Sequence, residues 1–142
     1  MRLPLPIAIG VALLATGPAM SKDRIAITSP WGTVTAELAD NAAARALAQR
    51  LPLTLQMRDH LRQEKTGTLP APLPQAARRL DVSAGMLGLW GDDDLVIYYR
   101  GGRVPPPGVV VLGRVTGDVA MFDRPGSISV QLRRTMSGAS TR

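Results

Sequence analysis

The chain of 142 residues has no cysteine, a single histidine and only five aromatic residues. Without cysteine it can form no disulfide, thiolate metal site, cysteine nucleophile or lipidated N-terminal cysteine. With His60 as the only imidazole, a histidine-cluster metal site is excluded as well. A serine–histidine–carboxylate triad would have to use this one residue. The composition therefore predicts no metal and no cofactor.

The positive net charge of +6 raises the question of nucleic acid binding. The basic residues gather weakly in four places: Arg58–Arg62, Arg78–Arg79, Arg100–Arg103 and Arg133–Arg134. A nucleic-acid surface requires such groups on one face, ideally with aromatic side chains for base stacking. Because the few aromatic residues lie mostly in apparent core strands, we expect a solvated arginine surface and no nucleic-acid partner.

The N-terminus has the parts of a secretory signal peptide. Arg2 is followed by an apolar run from Leu3 to Ala15, and small residues occur at Ala19 and Ser21. This pattern predicts a signal peptide over 1–21 with cleavage before Lys22, and hence a periplasmic or secreted protein. The alternative is an uncleaved anchor, but Pro4, Pro6, Gly10 and Gly17 interrupt this segment, and the run is shorter than the ~20 apolar residues of a membrane span. We therefore expect no stable membrane span.

The first part of the mature chain predicts a hairpin followed by a helix. Arg24–Thr28 and Thr33–Leu38 alternate with period two on either side of a Pro-Trp-Gly turn. Asp40 or Asn41 is a suitable helix N-cap. An apolar stripe at helical spacing follows, formed by Ala44, Leu47, Ala48 and Leu51, and Pro52 ends the helix.

Strand patterns dominate the rest of the chain, apart from one long stretch. Leu53–Met57 alternates, but periodicity fails over Arg58–Leu80, which we predict to be a long surface loop. Further strands, one helical turn and a tail are predicted in this order: Met86–Trp90, Leu95–Tyr99, Val109–Val115, the turn Val119–Phe122, Ser127–Leu132 and the flexible tail Arg133–Arg142. About seven strands and one helix indicate a single mainly β domain over 22–132, built as an antiparallel barrel or curled sheet.

Two polar groups allow both a chemical and a plainer interpretation. The run Asp92–Asp94 could bind a hard cation, but it lacks the spacing of a calcium loop, and a hairpin turn explains it. His60 lies near Asp59 and Glu64, which would suit acid–base chemistry. No serine or second acid is placed beside it by the sequence, so an exposed loop histidine is the expected reading.

The order of several segments resembles the small bacterial cyclophilin-like proteins. The segments that carry the resemblance are Asp40–Ala43 with Leu47, Leu51–Asp59, Glu64–Lys65, Leu69–Pro70, Gly85–Trp90, Leu95–Tyr99 and Leu112–Val115. The similarity extends from about Arg24 to Leu132. It implies a small closed antiparallel β-barrel with one or two helices covering its ends.

The resemblance also implies a possible activity, peptidyl-prolyl cis-trans isomerisation. That reaction needs an apolar pocket for the proline ring and an arginine directed at the prolyl nitrogen, which weakens amide resonance. The Phe-His-Arg and Ser-Gln-Phe-Phe motifs of the true cyclophilins are absent from this sequence. Arg58 is the nearest counterpart of the catalytic arginine, on the outward face of its strand together with Gln56.

Two hypotheses follow, and the sequence leaves both open. The first is an exported binding module for a peptide or small molecule, with a groove on the outer face of the barrel. Its predicted ligand contacts are Gln56, Arg58, Glu64, Trp90 and Tyr98. The second is a prolyl isomerase of exported proteins with Arg58 as the catalytic residue. Trp90 and Tyr99 could instead belong to the core, on the faces of Met86 and Ile97. Oligomeric state and ligand are not indicated.

Overall fold

The computed structural model describes residues 2–4 and 20–135. Strands make up most of the second range. The elements in chain order are β1 (Met20–Ser29), β2 (Gly32–Ala39), α1 (Ala42–Gln49), β3 (Leu53–His60), β4 (Glu64–Thr68), β5 (Arg78–Arg79), β6 (Asp81–Val82), β7 (Met86–Trp90), β8 (Asp94–Tyr98), β9 (Gly102–Arg103), β10 (Val109–Val115), the 3-10 helix η1 (Val119–Phe122) and β11 (Ile128–Thr135).

Eight of the described strands form a closed antiparallel barrel. Their order is β2-β1-β11-β3-β4-β8-β7-β10, and β10 pairs with β2 to complete the circle. Gly113 lies opposite Leu38 at this closure. A Cβ on Gly113 would lie 2.2 Å from the carbonyl oxygen of Glu37, so the two backbones can approach only at a glycine. The predicted closed antiparallel barrel is confirmed.

The described range holds one α-helix, α1, and it begins where the sequence indicates. The Asn41 side chain accepts a hydrogen bond from the backbone N–H of Ala44 at 2.9 Å, which is an N-cap. The amide nitrogen of the same side chain donates to the carbonyl oxygen of Val111 at 2.8 Å, beside the β-bulge of β10. Asn41 therefore both starts the helix and attaches it to the barrel wall.

The prediction of a long loop over Arg58–Leu80 is wrong for the first half of that range. β3 continues to His60, and β4 follows after a tight turn and pairs with both β3 and β8. β4 reads Glu-Lys-Thr-Gly-Thr, and it has no apolar residue that would reveal its alternation. Its Glu64 and Lys65 are nevertheless buried, because polar partners surround them.

The barrel wall separates two apolar clusters. The larger cluster fills the barrel interior and includes Leu55, Met57, Leu87, Ile97 and Phe122. The smaller one lies outside the wall, under the two-stranded ribbon of β6 and β9. It consists of Val82, Met86, Val96, Tyr98, Val104 and Val109, with Trp90 and Val111 packed against it. The outer face of β7 and β8 is therefore itself partly buried.

Both ends of the predicted domain differ slightly from the strand bounds. The regular pairing of β1 with β2 begins at Arg24, although the strand itself starts at Met20, ahead of the predicted cleavage point. β11 runs to Thr135, so the predicted tail over 133–142 begins within a strand. Most of the predicted signal peptide and residues 136–142 lie outside the described residues. No helix in the described residues is long and apolar enough to cross a membrane.

Candidate functional site

A concave surface lies on the outer face of the barrel, where β3, β4, β8 and β7 run side by side. Residues facing outward from these strands align in three rows across the sheet: His60–Glu64–Tyr98, Arg58–Thr66–Val96–Gly88 and Thr68–Asp94–Trp90. The side chains alternate because successive residues of a strand point to opposite faces. Polar and charged groups thereby come together on one side of the wall.

The ribbon turns this surface into a cavity of about 440 Å³. Residues of the three rows line its base, and Arg103, Val104 and Pro105 line it from the β9 side. Leu61 and Gln63, from the turn between β3 and β4, also contribute to the lining. The volume lies in the range of roughly 300–1,000 Å³ that is typical of ligand pockets. We call this space the outer cavity.

Glu64 is the polar centre of the first row. Nδ1 of His60 lies 2.7 Å from Oε1 of Glu64, which is hydrogen-bond distance, and the hydroxyl of Tyr98 also donates to the Glu64 side chain. Burial, together with the Glu64 carboxylate, raises the pKa of Tyr98 well above its ordinary value. The phenol therefore stays protonated at neutral pH and remains a donor to Glu64.

Two arginines of the outer cavity have no such partners in the part of the chain that the structure describes. Arg58 and Arg103 are exposed, and neither forms an ion pair within the described residues. The cavity's second carboxylate, Asp94, accepts a hydrogen bond from the Thr68 hydroxyl at 2.9 Å. The carboxylates of the cavity are thus held by protein donors, while both guanidinium groups are free to bind something else.

The part of the cavity near β7 is apolar. Trp90 is half-buried and lies in one row with Asp94, next to the outer cluster. Gly88 leaves room for the buried ring of Tyr98, since a Cβ there would lie 3.1 Å from a ring carbon of that tyrosine. A glycine at this point therefore allows the phenol to lie close against the sheet and to help form the base of the cavity.

The turn at the cavity rim has a strained backbone. Leu61 and Arg62 have φ angles of 55° and 52°, in the left-handed region that non-glycine residues avoid. Arg62 is bound to Asp123 at 2.7 Å, and more loosely to Asp59. These ion pairs hold the turn, which leaves the Leu61 side chain exposed at the cavity rim.

A second polar group lies on the opposite face of the same strands, inside the barrel. Lys65 is fully buried, and its ammonium donates to Asp59 Oδ1 at 2.9 Å, to the carbonyl oxygen of Gly126 at 3.1 Å and to that of Arg124. The Tyr99 hydroxyl donates to the same oxygen of Asp59. We call Asp59, Lys65 and Tyr99 the inner cluster.

The inner cluster holds its charges by mutual contacts. Burial alone would raise the pKa of Asp59, but the hydrogen bonds from Tyr99 and Lys65, and the charges of Lys65 and Arg62, lower it below its ordinary value. Burial and the Asp59 contact raise the pKa of Tyr99. The Lys65 ammonium also lies 5.3 Å from the centre of the Trp31 ring, within cation–π range. The inner cluster is therefore a structural group enclosed by the protein.

The residues that the structure describes contain no candidate metal centre. In the described ranges, no three histidine, aspartate or glutamate side chains are grouped so that they could hold an ion. Asp92 and Asp93 lie in the turn between β7 and β8, as the sequence indicates, whereas Asp94 is the first residue of β8. The backbone carbonyl oxygens of Asp92 and Asp93 accept hydrogen bonds from the backbone N–H groups of Leu73 and Leu69, respectively.

Comparison with known families identifies this architecture. A sequence model described as the Cyclophilin-like family matches residues 27–133. The chain belongs to the Cyclophilin-like family. No curated protein matches it by sequence. The solution structure of a hypothetical protein from Archaeoglobus fulgidus is similar, with a TM-score of 0.63 and 19% identity over 87% of this chain and all of that one. At this identity the similarity concerns the fold alone.

Four of the five site residues predicted for this cyclophilin-like chain meet in the outer cavity. Arg58, Glu64, Trp90 and Tyr98 line it. Gln56 is exposed on the same face of β3 but does not line the cavity. The alternative that Trp90 and Tyr99 belong to the core differs for the two residues. Tyr99 faces the barrel interior with Ile97, whereas Trp90 lies outside the barrel with Met86.

Several cavity residues of the cyclophilin-like chain were not predicted as ligand contacts. Arg103, Val104 and Pro105 come from the proline-rich connection after β8, and nothing in that connection indicates that it folds back over β8. His60 is exposed, as the sequence predicts, but it is the last residue of β3 and not a loop residue, and it contacts Glu64. The spacing of His60 and Glu64, on either side of a tight turn, was the available signal.

Proposed function

We propose that this cyclophilin-like protein is an exported binding module that takes a peptide segment or a small molecule in the outer cavity. The observation that carries the proposal is the cavity itself, which combines a ligand-sized volume with free guanidinium groups and an apolar side. Binding sites combine apolar surface with placed polar groups, and this cavity offers both.

The polar groups of the cavity favour binding over chemistry. Glu64 is engaged by His60 and Tyr98, and no serine, threonine or lysine is activated by that group in the described contacts. Thr66 lines the cavity, but it lies in the neighbouring row, opposite Arg58 and Val96. A fixed donor–acceptor set without an activated nucleophile is suited to recognising a ligand.

Prolyl isomerisation is the second candidate, because Arg58 lines a cavity that also has apolar residues. An arginine beside a proline-sized apolar surface could weaken the resonance of the prolyl amide and so lower its rotation barrier of about 20 kcal/mol. The only phenylalanine, Phe122, is fully buried in the barrel interior. The cavity would therefore have to hold a proline ring with Val96, Val104 and Trp90.

A binding experiment tests the main proposal. The protein labelled with ¹⁵N is titrated with four probe classes: aromatic acids, aromatic amines, aliphatic amides and blocked dipeptides. We expect at least one class to shift the Trp90 indole signal and the amide signals of Thr66 and Val96. The Trp31 indole, which contacts the inner cluster, serves as an internal control. Shifts confined to other surfaces, or none for any class, would overturn the proposal.

An isomerisation assay separates the two candidates. A blocked tetrapeptide with a central Ala-Pro bond is followed with the wild type, Arg58→Ala and the control Arg45→Ala, which alters an exposed arginine of α1 paired with Asp40. The binding module predicts the uncatalysed rate in all three samples. A faster rate that Arg58→Ala abolishes and Arg45→Ala retains would establish the isomerase instead.

Export is tested on the expressed full-length chain. We propose that the leader is removed before Lys22, which leaves the regular β1–β2 pairing from Arg24 onward intact. The N-terminal sequence of the protein recovered from the periplasm or medium is expected to begin at Lys22. Recovery of the full-length chain in the membrane fraction, starting at Met1 or Arg2, would contradict cleavage.

A further inference from the structure

The charges that face the outer cavity are unequally satisfied. Glu64 receives hydrogen bonds from His60 and Tyr98, and Asp94 receives one from Thr68. Arg58 and Arg103 receive no carboxylate from any described residue, although both line the same space. Among the described residues, the cavity therefore presents unpaired donors of positive charge, while each of its carboxylates already has a protein donor.

A guanidinium group has a planar arrangement of N–H donors that matches the two oxygens of a carboxylate. We propose that the outer cavity binds an organic carboxylate with an apolar or aromatic body, held at its anionic end by Arg58 and Arg103. This inference rests on the proposed binding function and names the class of its ligand.

The position of Trp90 defines the other end of that ligand. Arg58 lies on β3 and Trp90 on β7, three strand spacings or roughly 14 Å apart. The two residues lie in neighbouring rows, so their own backbones are farther apart than the strands. Thr66 and Val96, between them, have short side chains that leave the cavity open. The arginine side chain covers part of this distance, so a short linker between carboxylate and apolar group fits. Trp90 and Val104 then contact the apolar end.

A cationic ligand fits the same contacts less well. An ammonium group would have to compete with His60 and Tyr98 for Glu64, or with Thr68 for one oxygen of Asp94. It would also lie in a cavity with two free arginines, where like charges repel. An aromatic amine is therefore included in the test as the opposing case.

The test compares four small probes that differ in one group. They are 3-phenylpropionate, its neutral amide, 3-phenylpropylamine and an acetylated tripeptide ending in phenylalanine with a free C-terminal carboxylate. Dissociation constants come from the Trp90 indole shift in ¹⁵N spectra, at low and high salt. The variants are Arg58→Gln and Arg103→Gln, with Arg45→Gln as the control.

We expect the carboxylates to bind best, and each of the two cavity substitutions to weaken their binding about tenfold, the size of one charge-assisted hydrogen bond. The dissociation constant of the neutral amide should change less than threefold in these variants. Added salt should weaken the binding of the carboxylates only. Preference for the tripeptide over 3-phenylpropionate would assign the carboxylate to a peptide C-terminus, and the reverse to a small acid. Arg45→Gln should change none of these values.

Two results would overturn the inference, and they differ from failure of the binding function. If the amide or the amine binds as tightly as the acid, or if Arg58→Gln and Arg103→Gln leave the acid unaffected, the cavity binds ligands of another class. If the wider panel of the binding experiment shifts no cavity signal, the binding function itself fails.

Discussion

The outer cavity and the inner cluster are built from neighbouring residues of the same strands, yet their polar groups are in opposite situations. β3, β4 and the end of β8 each place one residue outside the wall and the next one inside: Arg58 and Asp59, Glu64 and Lys65, Tyr98 and Tyr99. Inside, each charge has a protein partner, and Lys65 is fully buried. Outside, two arginines have none among the described residues.

This difference indicates which charges serve the fold and which are available for a ligand. A charge removed from water is costly unless partners replace its hydration, so the contacts of Lys65 are a condition of its burial. Arg58 keeps its hydration and needs no partner to stay where it is. The comparison can be tested by substituting one side of the wall at a time.

Lys65→Met is expected to have the largest effect. It removes the ammonium from Asp59 and from two carbonyl oxygens, and it leaves the Asp59 carboxylate without its main counter-charge. Breaking a buried ion pair from one side typically costs about 3–5 kcal/mol. Urea unfolding followed by circular dichroism measures the loss. The neighbouring Glu64→Gln, facing outward, should cost about 1 kcal/mol or less. Equal losses would refute the distinction between the two faces.

The two adjacent tyrosines provide a matched pair with an intermediate effect. Tyr99→Phe removes a donor from Asp59, and we expect it to lower the free energy of unfolding by about 2 kcal/mol, as for a hydrogen bond to a charged group. Tyr98→Phe removes a donor from Glu64, which retains His60 and borders the cavity, so a loss of about 1 kcal/mol is expected. The same urea titration measures both. A larger loss for Tyr98→Phe than for Tyr99→Phe would mean that the outward-facing tyrosine contributes more to stability than the inward-facing one.

The smallest expected effect is on the pH dependence of stability. Because the folded-state pKa of Asp59 lies below its ordinary value, ionised Asp59 stabilises the fold above about pH 4. This contribution is lost as the pH falls through the folded-state pKa. The difference in unfolding free energy between the wild type and Asp59→Asn should therefore shrink below about pH 4. Asp40→Asn, on an exposed carboxylate, is the control. If the difference in unfolding free energy between the wild type and Asp59→Asn stays constant down to pH 2.5, the stabilising role of ionised Asp59 is contradicted.

Sequence patterns predict the fold well wherever apolar residues alternate. The β1–β2 hairpin, the Asn41 cap, the β7–β8 hairpin, β10 and η1 all lie where alternation or turn chemistry indicates. β4 could not be found in this way, because its inward-facing residues are a lysine and a glycine. Hydrophobic periodicity detects burial by apolar surface, whereas the buried Lys65 is satisfied by donating hydrogen bonds to carbonyl oxygens of Arg124 and Gly126, a segment distant in the chain.

The candidate site could be predicted in part for the same reason. Arg58 and Tyr98 were assigned to the outer face from strand parity alone, and the barrel brings them together with Glu64. The ribbon that completes the cavity depends on a pairing of only two residues on each strand, far apart in the chain. Such short pairings leave no periodic pattern, so Arg103 and Val104 could not be placed.

The ribbon has a consequence for how ligand choice could diversify. It pairs only Asp81 with Arg103 and Val82 with Gly102, and the eight strands that close the barrel do not include it. One wall of the cavity is therefore a separate piece attached to a finished barrel. Changes in the sequence or length of the segment after β8 would alter which molecules fit while the interior packing stayed the same. If the proposed binding function holds, the barrel is a constant support, and the segment around Arg103 is the exchangeable part that would set specificity.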